Sequence, residues 1–331
     1  MSYEWTKPLL LSNKISLPSR IMPSPMEGIM TPLFCQAVNE LNCFDYWITP
    51  FIPISSSIPS IKTIKKKLEP YLFNNKIVIV QLLGNNIINL RETVKILAEL
   101  QIKAVNLNFA CPSKKVLSSK SGGYLLKYPE QIRAISEEIK NSVPNISLSL
   151  KIRSGFENSN EMPLILKELK KINPDFIIMH YRTVAEAYRS TNFQTERITK
   201  AISILENIPL IANGDITSPQ TALELYGKSN CAGIAIGRAL IKNPYVLKSI
   251  SLRIVNGIEY EDKDSQSVFT QKVFEILLKK PLLYSHGNFL ELIKFIWGEN
   301  SSLFHLLKTK NKKETLKLIP TLLDLITDKN I

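Results

Sequence analysis

Cys111 stands apart from the other three cysteines of the chain. It lies in the run NLNFACPSKKV at 106–116, directly before Pro112, which stops a strand and leaves the thiol at its end. A lone cysteine is usually a small buried hydrophobe. This one is followed by Lys114, Lys115, Lys120 and Lys127, and a cationic loop favours the thiolate and attracts phosphate-bearing ligands. Lys151, in LKIRSG at 150–155, is the second group. Placed inward by strand alternation, its ammonium needs an anion or an electron-rich ring as partner. IANGDI at 211–216 and IAIGRA at 234–239 form the third. There Asn213-Gly214-Asp215 and Gly237-Arg238 offer backbone N–H groups and a guanidinium suited to a phosphate.

These residues must be brought together by the elements that precede them. Short apolar, β-rich runs recur at Ser19–Ser24, Tyr46–Phe51, Lys76–Leu82, Ala104–Phe109, Ile146–Ile152, Phe176–His180, Pro209–Ala212 and Gly233–Ile236. The segments between them mostly carry helical periodicity, as in Leu90–Leu100 or Met162–Ile172. Strands apolar on both faces, alternating with helices, predict a parallel sheet under helices. Eight such units suit a (β/α)₈ TIM barrel, which typically takes about 250 residues. A doubly wound open sheet is the other fold, and it would want a GxGxxG turn where this chain has SPMEG. In the barrel the site belongs at the C-terminal ends of the strands, and the loops after strands seven and eight often hold a phosphate. Gln81, Asn108, Arg153, His180 and Arg182 fall there too, as do several of the chain's 12 glycines.

After Ile236 no strand run follows. Amphipathic stretches at Val268–Lys279, Phe289–Trp297 and Glu314–Ile326 predict a small all-helical C-terminal domain. The expected division is a catalytic barrel over 1–245 and a helical domain over 246–331, with the boundary at Asn243-Pro244.

The composition of the 331 residues, 44% apolar and 21% charged, excludes intrinsic disorder. No apolar run is long enough to span a membrane, and none resembles a secretory signal. The four cysteines have no paired metal-ligand spacing and there are three histidines, so no metal site is expected. A reducing, cytoplasmic setting is expected. The formal net charge of +13, spread over both parts of the chain, points to a polyanionic partner.

The motifs, in their order, resemble those of the tRNA-dihydrouridine synthases. They are SPMEG at 24–28, QLLG at 81–84, NLNFACPSKKV at 106–116, SGGYLL at 121–126, LKIRSG at 150–155, HYRT at 180–183, IANGDI at 211–216 and IGRALIKNP at 236–244. The MEG turn and AYRS after HYRT are most similar to the bacterial C-type branch. The resemblance implies an FMN-dependent oxidoreductase that uses NADPH (or NADH) to reduce a D-loop uridine of tRNA to 5,6-dihydrouridine. It implies that Pro25, Met26 and Glu27 line the flavin ring and that Gln81 and Lys151 meet its pyrimidine edge. His180 would reach the ribityl or phosphate side, and Asn213, Gly214, Asp215, Gly237 and Arg238 the phosphate. Hydride would pass to C6 of the uracil and Cys111 would protonate C5. Asn108 and Arg153 would hold the flipped base, and Lys114 and Lys115 nearby RNA. The helical domain would grip the tRNA, so its removal should weaken tRNA binding more than flavin binding.

Three positions depart from the family pattern. Ser24 replaces the usual Ala, Ala110 the common Gly, and Tyr181 the Gly of HGRT, where its bulk is expected to alter the substrate mouth. Two other readings stay open at this point. One is an FMN barrel reductase acting on a small molecule, of the dihydroorotate dehydrogenase kind. The other is a non-catalytic tRNA-binding protein. No membrane and no obligate protein partner is expected.

Overall fold

The computed structural model describes residues 4–54, 57–73, 76–258, 264–281 and 284–327. Eight parallel strands form the central sheet. They are β1 (Ile21–Pro23), β2 (Tyr46–Ile48), β3 (Ile77–Gly84), β4 (Ala104–Phe109), β5 (Ser147–Arg153), β6 (Ile177–His180), β7 (Leu210–Asn213) and β8 (Gly233–Ile236). Their order, β1-β8-β7-β6-β5-β4-β3-β2, is that of a barrel. The one missing ladder lies between β1 and β2, where the Tyr46 hydroxyl donates to the Ser19 carbonyl at 2.7 Å across the seam. The open doubly wound sheet is thereby excluded. All eight expected strands form, with shifted ends. β2 stops before Pro50, which has no N–H for a ladder, and Ile52–Ile54 resumes as a short extra strand on the end of β3. β4 stops at Phe109, so Cys111 sits two residues beyond the strand rather than at its end.

The inward residues of the strands change character with height. Near the floor they are apolar: Met22, Tyr46, Ile48, Ile79, Ile178 and Ile211 pack with Leu9, Leu11 and Leu17, all nearly inaccessible. The leucines come from a hairpin, Leu9–Leu10 with Ser16–Leu17, that plugs the N-terminal end. One or two residues further along the same strands, the inward positions turn polar: Gln81, Asn106, Asn108, Ser149, Lys151, Arg153 and Asn213 are all buried. The outward positions, such as Val80, Leu107, Leu150 and Met179, stay apolar and meet the helices. The period of two therefore separates the packing face from the face that can do chemistry.

The helices on the barrel are α1 (Pro32–Glu40), α2 (Ile61–Leu68), α3 (Ile87–Glu99), α4 (Lys114–Ser118), α5 (Pro129–Ser142), α6 (Met162–Ile172), α7 (Gln194–Leu205) and α8 (Pro219–Ser229), with the short α9 (Ala239–Lys242) after β8. Their ends follow from the sequence. Thr31, Ser60, Asn86, Ser113 and Ser218 cap N-termini with side-chain oxygens, and Asn173 and Asn230 close α6 and α8 in the left-handed conformation.

α10 (Val246–Asn256) follows the expected boundary and packs on α8 and β1. Then come α11 (Ser265–Lys279), α12 (His286–Trp297), α13 (Ser302–Lys308) and α14 (Lys312–Thr327), the expected helical region. α11 lies on α1, where Phe34 and Phe269 meet edge to face at 5.5 Å. The Tyr284 hydroxyl donates to Gln36, and α12 packs on α9. The outermost expected residues, 1–3 and 328–331, lie outside the described ones. Among the described residues no helix is long and apolar enough to cross a membrane.

Candidate active site

A cavity of about 1040 Å³ opens at the C-terminal ends of the strands. Its walls contain Pro25, Met26 and Glu27 from the turn after β1, Gln81 of β3, Asn108 and Cys111 from β4 and its loop, and Lys151 and Arg153 of β5. His180 ends β6, and Asn213, Gly214, Asp215, Gly237 and Arg238 follow β7 and β8. Every site residue expected from the sequence lines it except Arg182, which is turned onto Asp215 behind the wall, and Lys114 and Lys115. Those two begin α4 on the exposed outside of the rim.

The Cys111 end of the cavity is built from amides. Asn106 Nδ2 donates to Ser149 Oγ at 2.9 Å, and its Oδ1 accepts from Gln81 Nε2 at 2.7 Å. Gln81 Oε1 accepts from Asn108 Nδ2 at 2.9 Å. Asn108 Oδ1 then accepts the N–H groups of Ala110 and Cys111, at 2.9 and 3.1 Å. A buried chain of satisfied amides thus runs from the barrel interior to the loop that carries the thiol, and such networks fix geometry. The loop is closed from behind by Gly123, whose N–H donates to the Cys111 carbonyl at 3.1 Å. Gly122 is left-handed, at φ +59°, and a Cβ there would sit 2.6 Å from Val116 and 3.3 Å from Cys111 Cβ. The thiol itself is partly exposed and lies 3.6 Å from Ser113 Oγ.

Lys151 is 9% exposed and points inward, as the alternation requires. Among the described residues it has no hydrogen bond or ion pair. Burial, reinforced by the nearby Arg153 charge, brings its ammonium down to about 8. Arg153, two residues on, is engaged differently. Its Nε donates to the Ala110 carbonyl, and its Nη1 to those of Thr183 and Ala187, at 2.8–2.9 Å. It therefore ties the Cys111 loop to the loop after β6.

His180 Nδ1 accepts the Arg182 N–H at 3.2 Å, which leaves Nε2 as the protonated nitrogen. Burial and four surrounding cations, Arg153, Lys151, Arg182 and Arg238, hold the ring well below its ordinary value, so it is neutral at pH 7. At the β7–β8 end, Asn213 Nδ2 donates to the Ala235 carbonyl at 2.6 Å. The main-chain N–H groups of Gly214, Asp215, Gly237 and Arg238 make no hydrogen bond within the described chain. Gly237 faces Met26, whose sulfur a Cβ there would meet at 3.4 Å. Asp215 accepts from Arg182 through both Nη atoms and from Tyr181 Oη, and lies 3.5 Å from the exposed Arg238. These partners keep its carboxyl below the usual range despite partial burial.

The sequence reading did not select Tyr188, Phe51 or Phe295, all of which line the cavity. Tyr188 is 66% exposed and stands between two guanidiniums, with Arg238 at 5.8 Å and Arg153 at 5.9 Å from its ring. Its loop is held by Arg153, by Arg182 Nε on the Arg189 carbonyl, and by Arg197 bidentate on Glu186 at 2.6 and 2.8 Å. An AYRS run downstream of HYRT was the only signal for it. Phe295 comes from α12, and nothing in its local sequence marks it. Tyr181, expected at the mouth, is 1% exposed and turns away from the cavity toward Asp215. Among the described residues no group of three His, Cys, Asp or Glu side chains is arranged to hold a metal.

The arrangement is therefore a deep cleft with an anion-ready end, an unpaired cation in the middle, and a thiol with an open face opposite. Its volume suits a sizeable small-molecule ligand, since such sites usually span about 300–1,000 Å³. Comparison with known proteins gives the family. The family model described as dihydrouridine synthase (Dus) matches residues 22–283. The tRNA-dihydrouridine(16) synthase of Escherichia coli is 32% identical over 232 residues, which cover 68% of this chain and 73% of that protein. The tRNA-dihydrouridine(16) synthase of Haemophilus influenzae is 29% identical over 239 residues, 70% and 77% of the two chains. Among solved structures, "Crystal structure of TcOYE with pHBA" superposes with a TM-score of 0.57 at 11% identity, covering 76% of this chain and 93% of that one. A variant of NCR from Zymomonas mobilis gives 0.55 at 14%, over 81% and 96%. These two share the fold. With the family match spanning most of the chain and the expected residues gathered around one cavity, the chain belongs to the dihydrouridine synthase family, an enzyme family of flavin-dependent oxidoreductases.

Proposed function

We propose that this chain is a tRNA-dihydrouridine synthase that reduces a D-loop uridine of tRNA to 5,6-dihydrouridine, with FMN as cofactor and NADPH as reductant. The observation that carries the reading is the pairing, in one cavity, of the partnerless Lys151 ammonium with the Cys111 thiol. The residues present fit FMN. Four free main-chain N–H groups and Arg238 suit its phosphate, and Lys151 with Gln81 suits the electron-rich edge of its ring. Pro25, Met26 and Glu27 would border the ring, and His180, with its Nε2–H free, would donate to the ribityl side. When bound and reduced, FMN supplies the hydride that C6 of the uracil receives.

The chain supplies orientation and the proton. Asn108 has one amide hydrogen left after holding Gln81, and in this reading it meets a carbonyl of the uracil. Arg153 keeps the two flanking loops in register around the extruded base. Cys111 delivers its Sγ proton to C5, so hydride and proton together complete the reduction of the double bond. Lys114, Lys115 and the four exposed lysines of α2, Lys62, Lys65, Lys66 and Lys67, face RNA phosphates. Residues 1–245 form the catalytic unit and 246–331 the tRNA-gripping unit, and the enzyme works in the cytoplasm.

The test combines a map and a variant. Dihydrouridine should disappear from one D-loop position in tRNA of a strain lacking this protein. Cys111→Ala should keep FMN and tRNA binding and the reduction of FMN by NADPH. Its transfer to tRNA should slow by about 10²–10⁴-fold, the usual loss for a positioned general acid. A variant that forms dihydrouridine at the wild-type rate would remove Cys111 from the chemistry.

A further inference from the structure

Tyr181 is the bulkiest departure from the family pattern, and its surroundings give it a task. The phenol is buried and its hydroxyl donates to Asp215 Oδ2 at 2.5 Å, with the Thr191 carbonyl at 3.4 Å. Its ring lies under the Arg182 guanidinium at 4.8 Å and parallel to His180 at 5.6 Å. It also lies directly on Gly214, where a Cβ would come within 2.7 and 2.8 Å of two ring carbons. The Gly214 carbonyl is drawn off by Gln194 Nε2 at 2.5 Å, and Asp215 holds a left-handed φ of +52°. The carbonyl is thus bonded to Gln194 and the carboxylate to Arg182 and Tyr181, with the exposed Arg238 guanidinium 3.5 Å away on the cavity side. The turn's N–H groups make no hydrogen bond among the described residues.

A carboxylate next to a phosphate site is a problem of sign, because a dianion repels it strongly in a part-buried setting. Arg182 neutralises Asp215, and the Tyr181 hydroxyl fixes which way the carboxylate faces. We propose that Tyr181 is a positioning residue that gives this site its preference for a phosphorylated flavin, by holding Asp215 on Arg182 and away from the phosphate. The proposal rests on the flavin reading above and adds a residue to it. Packing alone predicts something else, since a ring that merely fills space would affect the phosphorylated and unphosphorylated cofactor alike.

Riboflavin, which lacks the phosphate, separates the two. The full chain, freed of flavin, is titrated with FMN and with riboflavin, and quenching of flavin fluorescence gives each Kd. Tyr181→Phe keeps the ring and removes one hydrogen bond to a charged group. It should weaken FMN by about 10-fold and leave riboflavin within about 2-fold. In an Asp215→Asn background the same Phe change should leave the FMN-to-riboflavin ratio unaltered, because Tyr181 acts through that carboxylate. Equal losses for both flavins, no loss for either, or a persisting FMN-specific loss in the Asn background overturns the proposal. Wild-type protein that binds neither flavin overturns the cofactor reading itself, an outcome visible before any variant is made.

Discussion

Lys151 is the residue on which charge and burial conflict most directly. Burial and Arg153 lower its ammonium from 10.5 to about 8, so between those values the folded chain holds fewer protons than the unfolded one. The stability of the flavin-free protein therefore rises with pH across that window, and the full burial penalty is present below it. A bound anion or electron-rich ring reverses the sign, because it requires the charged form. FMN affinity should fall as pH rises through about 8, by up to about 10-fold per pH unit. Arg153, held at about 10, stays charged over most of that range. Fluorescence titrations from about pH 7 to about pH 9.5 should show the slope in the wild type. Lys151→Met should bind FMN more weakly and flatten the profile. A wild-type profile without the slope would put the lysine out of the cofactor's reach.

At the scale of elements, the loop between β4 and α5 places the thiol through close backbone approach. Gly122→Ala puts a methyl on a left-handed residue and into Val116 and Cys111 at once. The phosphate end lies across the barrel, so flavin content should persist. Turnover should drop on the order of 10²-fold, the scale of an ångström misplacement. Single-turnover oxidation of prereduced enzyme by tRNA measures it, and an undiminished rate would mean the loop is not what aims Cys111. Strands and loop starts like these were legible in the sequence for a physical reason. A parallel barrel buries both faces of each strand, so the runs are visible, and the residue type at each strand end shows which faces carry chemistry. The rest was illegible for equally physical reasons. Tyr188 stands where it does because Arg153 of β5, Arg197 of α7 and Arg182 within the loop itself grip one loop. Tyr181 was expected in the mouth because a strand-end side chain has two directions open to it. Only the distant Asp215 and Gly214 decide between them. Phe295 reaches the cavity from a helix whose local pattern speaks only of packing.

At the scale of the whole molecule, the helical region is bonded into the barrel more firmly than a tethered clamp. α11 covers the apolar face of α1 through Phe269 on Phe34, and α12 brings Phe295 to the cavity wall. Chain ending after Asn256 should therefore lose flavin as well as RNA binding and should melt earlier. The sequence reading, with its gripping unit separate from the cofactor, expects removal of 246–331 to weaken RNA binding more than flavin binding. Flavin per chain after purification, with a melting curve, decides between the two. The hairpin floor has a consequence of its own. Leu9, Leu11 and Leu17 fill the far end of the barrel with an apolar plug, so among the described residues the cleft is reached from the C-terminal ends of the strands. On the proposed reaction a nicotinamide and a nucleobase would both approach the flavin through that same side. They would come by turns, each leaving before the next arrives, and the flavin between them would keep the electrons of one visitor until the other knocks.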